Sequence, residues 1–176
     1  MAEKLASRKV LRDDCRILKR FFRIKEKTPL EYSNEGGWED PLVVENTNCY
    51  RYAFDIPWRD SVQKAMCFLG WSIGHMEHIT GEKAFFRFEI DLKRMGFNFE
   101  IVTDDKTVPK KGRKIALFVH EHDFHFARQN ADGIWSEKDG FGSPVSLFLD
   151  DHGNYARPLE YTSSIPFEVR VYHIWI

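Results

Sequence analysis

"IALFVHEHDFHFARQNADGIWSEKDG", residues 115–140, reads as three strands joined by two turns. Ile115–Val119 is a short apolar run of the kind that forms a buried strand, which extends to about residue 120. In the second strand, 124–129, alternation sends His125 and Ala127 to one face and Phe124, Phe126 and Arg128 to the other. "NADG", 130–133, is a hairpin signal, because Asp-Gly tolerates the positive φ angles of a tight turn. A third strand over 133–137 then carries Trp135 and Glu137.

The meander holds three histidines within six positions, His120, His122 and His125. The closest metal template is the H-x-H-x-D-H run of binuclear zinc hydrolases, but here the aspartate, Asp123, arrives one position early. A catalytic zinc also needs three protein ligands and an open position. His75, His78, His152 and His173 offer no matching spacing, so no metal and no cofactor is expected. His120 and His122 fall in the "HEHD" turn and read as solvated turn residues. His125 sits just inside a strand, where a side chain is both oriented and reachable.

An imidazole so placed asks for a nucleophile. Cys15 lies in the charged helical pattern "LRDDCRILKRFF" and Cys67 in the apolar "VQKAMCFLGW", both readable as structural positions. Cys49 differs. In "VENTNCYRYAFD", Asn46, Thr47 and Asn48 supply helix N-cap chemistry just ahead of it. That puts the sulfur in the first turn of a short helix. Thiols in such positions beside an imidazolium ionise readily, and the thiolate is the nucleophile. A small buried residue is the other reading of this stretch.

"NCYRYAFD", 48–55, and "DFHFARQNADGIWSEKDG", 123–140, together resemble the papain-like thiol hydrolases, including NlpC-type cell-wall peptidases. The likeness is nearest to small bacterial and phage-type proteins with an NCYxYA nucleophile helix and a DYHFYRQDxxGxWSHKxG hairpin. It continues weakly through "SPVSLFLDDHGNYARPLEY" and covers roughly 46–160. The resemblance implies a cysteine at a helix N-terminus packed on a small antiparallel sheet that carries the histidine. By position it assigns Cys49 as nucleophile and His125 as general base, with Glu137 third, twelve residues after the histidine. There the chain departs from the pattern, having "WSEK" for "WSHK". A carboxylate can still accept the imidazole N–H and hold the required tautomer. Asp139 is the other acid within reach in sequence.

Acyl transfer also needs donors for the developing oxyanion. The backbone N–H of Cys49 is one candidate. The side-chain amide of Asn48 or Asn46 is another, unless either only caps the helix. The expected activity is hydrolysis or acyl transfer at a peptide or side-chain amide bond of a protein or peptide substrate, covering peptidase, deamidase and transglutaminase chemistry. The opposing expectation is a catalytically inactive papain-like module that binds a partner, for which the altered third position argues.

The 176 residues, 43% hydrophobic and 15% aromatic, suffice for a single domain over 1–176. A net charge of −1 supplies no global field for nucleic acid or an acidic membrane, and neither is expected as a partner. "SRKVLR", "KRFFRIKEK" and "KKGRK" read as solvated faces or turns, and oligomeric state is left open. Three unpaired-looking cysteines fit a reducing compartment. "MAEKLASRKVLRDD" has no apolar core of a signal peptide, and no apolar run approaches the roughly eighteen residues of a membrane span. A cytoplasmic location is expected, with delivery by a signal-less secretion route also open.

Along the chain, apolar spacing predicts helices over 3–24, 49–55, 59–78 and 83–94. Residues 25–47, with Pro29, Gly36, Gly37 and Pro41, read as an irregular crossing toward the nucleophile helix. Further strands are expected at 97–103 and 167–175, the last closing the chain inside the sheet. Helices first and a mostly antiparallel sheet after them make an α+β fold, which the papain-like resemblance also implies.

Overall fold

The computed structural model describes residues 37–57, 69, 81–121 and 123–176. The fold is α+β, with three helices and one six-stranded antiparallel sheet among the described residues. The expected helix over 3–24 lies outside the described residues, as does that over 59–78 apart from Leu69.

Helix α1 spans Pro41–Asn46, where an irregular crossing was expected. Its start is locally encoded. Asp40 caps it by accepting from the Leu42 N–H at 2.9 Å, and Pro41 occupies the first turn, where a missing N–H costs nothing. Helix α2, Cys49–Ala53, follows after Thr47 and Asn48 turn extended. Helix α3, Glu82–Met95, buries Ala84, Phe85, Phe88, Leu92 and Met95, one face at helical spacing. Gly96 ends it in the left-handed conformation with φ 82°, its N–H returning to the last carbonyls.

The strands are β1 (Asn98–Val102), β2 (Arg113–His120), β3 (Phe124–Gln129), β4 (Trp135–Lys138), β5 (Val145–Leu147) and β6 (Phe167–Trp175). Their order is β1-β6-β2-β3-β4-β5. The final strand thus inserts between β1 and β2, pairing Asn98 with Trp175 on one side and Arg113 with Ile174 on the other. Gly112, at φ 74°, admits this approach: a Cβ there would sit 2.0 Å from the Ile174 carbonyl oxygen.

Alternation divides the core between two faces. Ile115, Leu117, Val119, Phe124, Phe126, Tyr172 and Ile174 pack on the helices through Tyr50, Phe54 and Phe88. On the other face Ala116, Phe118, Ala127, Trp135 and Val171 are covered by Phe148, with Tyr161 and Phe167 against them. Both faces of β2 are therefore buried, which is why Ile115–Val119 within it runs apolar without a break. The meander expected from residues 115–137 is present, with Asn130–Gly133 as its second turn, closed by Gly133 N–H to Asn130 O at 3.0 Å.

Candidate active site

Asn48 is the N-cap of α2, its side-chain oxygen accepting from the Arg51 N–H at 3.4 Å, so Cys49 opens the helix. Cys49 is buried in the same apolar cluster as Phe124 and Phe126, the two neighbours of His125 in β3. Two tyrosines fix the helix beneath it. Tyr50 donates its hydroxyl to Asp91 of α3 at 3.0 Å, and the Tyr52 hydroxyl lies 2.6 Å from Ser136 Oγ of β4. Both residues are fully buried, so the helix is tied to α3 and the sheet at once.

His125 is the second residue of β3. The register sets Ala127 opposite Glu137, so Glu137 is the diagonal neighbour of His125 on the same face. The imidazole Nε2 stands 2.7 Å from Glu137 Oε2, each side chain about 20% exposed. Burial opposes protonation of this ring. Hydrogen bonding to the Cys49 sulfur and to Glu137, with the charges of both, outweighs burial and pushes the imidazole up to about 10. With Nε2 committed to the carboxylate, Nδ1 is the nitrogen left for the sulfur.

These groups open on a cavity of about 400 Å³. Asn48, Cys49, His125 and Glu137 line it, with Phe118, Phe148 and Tyr161 as an aromatic wall. Phe118 stacks on Phe148 at 5.1 Å and meets Tyr161 edge-on at 5.9 Å. An apolar wall beside a paired imidazole and carboxylate strengthens their interaction by excluding water. The arrangement suits nucleophilic attack assisted by proton transfer.

The other candidates fall differently. Asp139 also lines the cavity but is exposed, and among the described residues it makes no hydrogen bond to His125. Asn46 is not a cap of α2: it ends α1, where its amide donates to Leu42 O at 2.8 Å. Only Thr47 separates it from Asn48, but α1 has already claimed its side chain. His120 is not a solvated turn residue. It closes β2, lines the cavity and lies 5.8 Å from the Phe167 ring. His122 lies outside the described residues. Among the described residues no three His, Cys, Asp or Glu side chains are grouped to hold a metal ion.

Sequence reasoning missed the aromatic wall. Phe148 and Tyr161 come from a segment with no periodicity to mark them as cavity residues, and only the covering of the sheet's outer face reveals them. Comparison of the chain with protein-family models, curated proteins and solved structures returns no match.

Proposed function

We propose that this chain is a papain-like thiol hydrolase or acyltransferase acting on a peptide or side-chain amide bond through Cys49, His125 and Glu137. The observation that carries the reading is the imidazole held between a helix-opening cysteine and a carboxylate 2.7 Å from its far nitrogen.

The Cys49 thiol proton passes to His125 Nδ1, Sγ attacks the carbonyl carbon of the scissile amide, and the carbonyl electron pair moves onto oxygen. The backbone N–H of Cys49, in the first turn where no intrahelical acceptor exists, stabilises that oxyanion, with the Asn48 amide as second donor. Collapse breaks the C–N bond as the His125 Nδ1 proton passes to the leaving nitrogen, giving a thioester and a neutral ring. His125 then takes a proton from water, or from an acceptor amine, which attacks the thioester. The C–S bond breaks and the proton returns. Glu137 accepts the Nε2–H throughout, holding tautomer and ring plane.

Substrates of this reading are proteins or peptides. No cofactor enters the steps, and neither nucleic acid nor membrane is a partner. A reducing, cytoplasmic setting or signal-less export suits a free reactive thiol. Among the described residues no helix is long and apolar enough to cross a membrane.

The test is turnover of a peptide mixture by wild type and Cys49→Ser, read by mass spectrometry for new termini and for glutamine-to-glutamate conversion. Either product from wild type alone supports the reading. Identical, unreacted mixtures from both would favour an inactive binding module.

A further inference from the structure

Strand β4 performs two tasks on two faces. Glu137 points to His125, while its neighbours Ser136 and Lys138 point the opposite way, toward the nucleophile segment. Lys138 is fully buried. Its ammonium donates to the carbonyl oxygen of Thr47 at 2.8 Å and to that of Gly140 at 2.7 Å. Taking an ammonium out of water is costly, and a methionine would fill the same stem without that cost. What the charge adds is a tether.

Both ends of that tether matter to the site. Thr47 is fully buried and its hydroxyl is bonded back to Val43 O at 2.5 Å. The Thr47 carbonyl shares a rigid peptide plane with the N–H of Asn48, so fixing that oxygen fixes the plane that leads into Asn48 and Cys49. Gly140 lines the cavity, in a left-handed conformation with φ 58°. Lys138 therefore ties the residue before Asn48 to Gly140 of the cavity lining and is bonded along the chain to Glu137.

We infer that Lys138 is a positioning residue: its buried ammonium, bound to the Thr47 and Gly140 carbonyls, sets the place of the Cys49 sulfur relative to His125. The inference rests on the catalytic reading of Cys49, His125 and Glu137. Because Glu137 is adjacent in β4, one strand fixes both the acid that orients the base and the loop that delivers the nucleophile.

The test is the second-order rate of Cys49 alkylation by iodoacetamide at pH 6 in full-length wild type, Lys138→Met, Lys138→Gln and Tyr172→Phe, with the His125 ring observed by NMR. Tyr172→Phe removes a hydroxyl contact to Glu89 at 3.3 Å from a residue of the same core cluster as Cys49, leaves the Lys138 tether in place, and so reports general loosening. Folded Lys138→Met is expected to lose a factor of about 10 to 100 in rate, as for a misplacement near 1 Å. Its His125–Glu137 hydrogen bond should persist. Lys138→Gln, which keeps a donor, should recover part of the rate, and Tyr172→Phe should match wild type. Wild-type labelling in folded Lys138→Met, or an equal loss in Tyr172→Phe, overturns the inference while leaving the catalytic reading intact. Should Lys138→Met fail to fold, Lys138→Gln carries the comparison, and labelling at the wild-type rate overturns it. Slow labelling of wild type itself sinks the catalytic reading and this inference together.

Discussion

Glu137 Oε2 lies 2.7 Å from His125 Nε2, diagonally across the β3–β4 pair. The carboxylate thereby chooses which ring nitrogen carries a fixed proton and which faces Cys49. In this place a carboxylate is a charged acceptor for the ring N–H.

Glu137→Gln should keep the fold but remove the charge and disfavour the required tautomer, lowering activity by a factor that reaches about 10⁴ for triad carboxylates. Glu137→His should retain part of it. Asp139→Asn should change little, since Asp139 is exposed and makes no bond to the ring. Steady-state turnover of the three variants checks this. Full activity in Glu137→Gln with none in Asp139→Asn would move the role to Asp139.

The His125 ring is pushed up to about 10 from an ordinary 6.5, its proton held by Cys49 and Glu137 against the effect of burial. Folding therefore binds that proton more tightly. The stability it contributes is complete below about pH 6.5 and is lost as pH rises through about 10. Urea unfolding across this range should show wild type losing stability with pH, and His125→Gln losing less. Ring NMR should find no His125 titration near neutrality. A midpoint near 6.5 would contradict the paired imidazole.

Much of this arrangement was legible in the sequence where it is local. Alternation in "FHFARQ" separated His125 from Phe124 and Phe126, and those two do pack on the helix side while Ala127 faces away. Asp-Gly marked the turn at 130–133, and Asn48 marked the start of α2. Helix α1 was also encoded, by Asp40 and Pro41, but the glycines and prolines around it masked a six-residue element. What no local pattern carries is pairing at long range. Insertion of β6 between β1 and β2 and the lining of the cavity by Phe148 and Tyr161 depend on segments distant in sequence, while β5 pairs locally with β4 but is only three residues long, too short to show alternation. His120 was misread for the same reason: the burial comes from Phe167, across the sheet.

Arg128 anchors the other end of α2. Its guanidinium lies 3.9 Å from the Tyr52 ring centroid and donates to Tyr52 O and Asp55 Oδ1, both at 3.1 Å. Asp55 also accepts from Trp38 Nε1 at 2.9 Å. Arg128→Met strips the buried Asp55 carboxylate of this cation, and breaking such a pair from one side costs about 3–5 kcal/mol. Urea denaturation should show that loss, and Arg128→Met with Asp55→Leu should cost less than the two single changes summed. An Arg128→Met protein as stable as wild type would mean the pair contributes no net stability.

The proposed chemistry requires Cys49 to be an activated thiol. Wild type and His125→Ala, treated with limiting iodoacetamide at pH 6, can be mapped by mass spectrometry at Cys15, Cys49 and Cys67. Wild type is expected to be labelled first and fastest at Cys49, and His125→Ala to lose that advantage with its fold retained. Equal, slow labelling of all three cysteines, or labelling of Cys49 that ignores the loss of His125, would contradict the account.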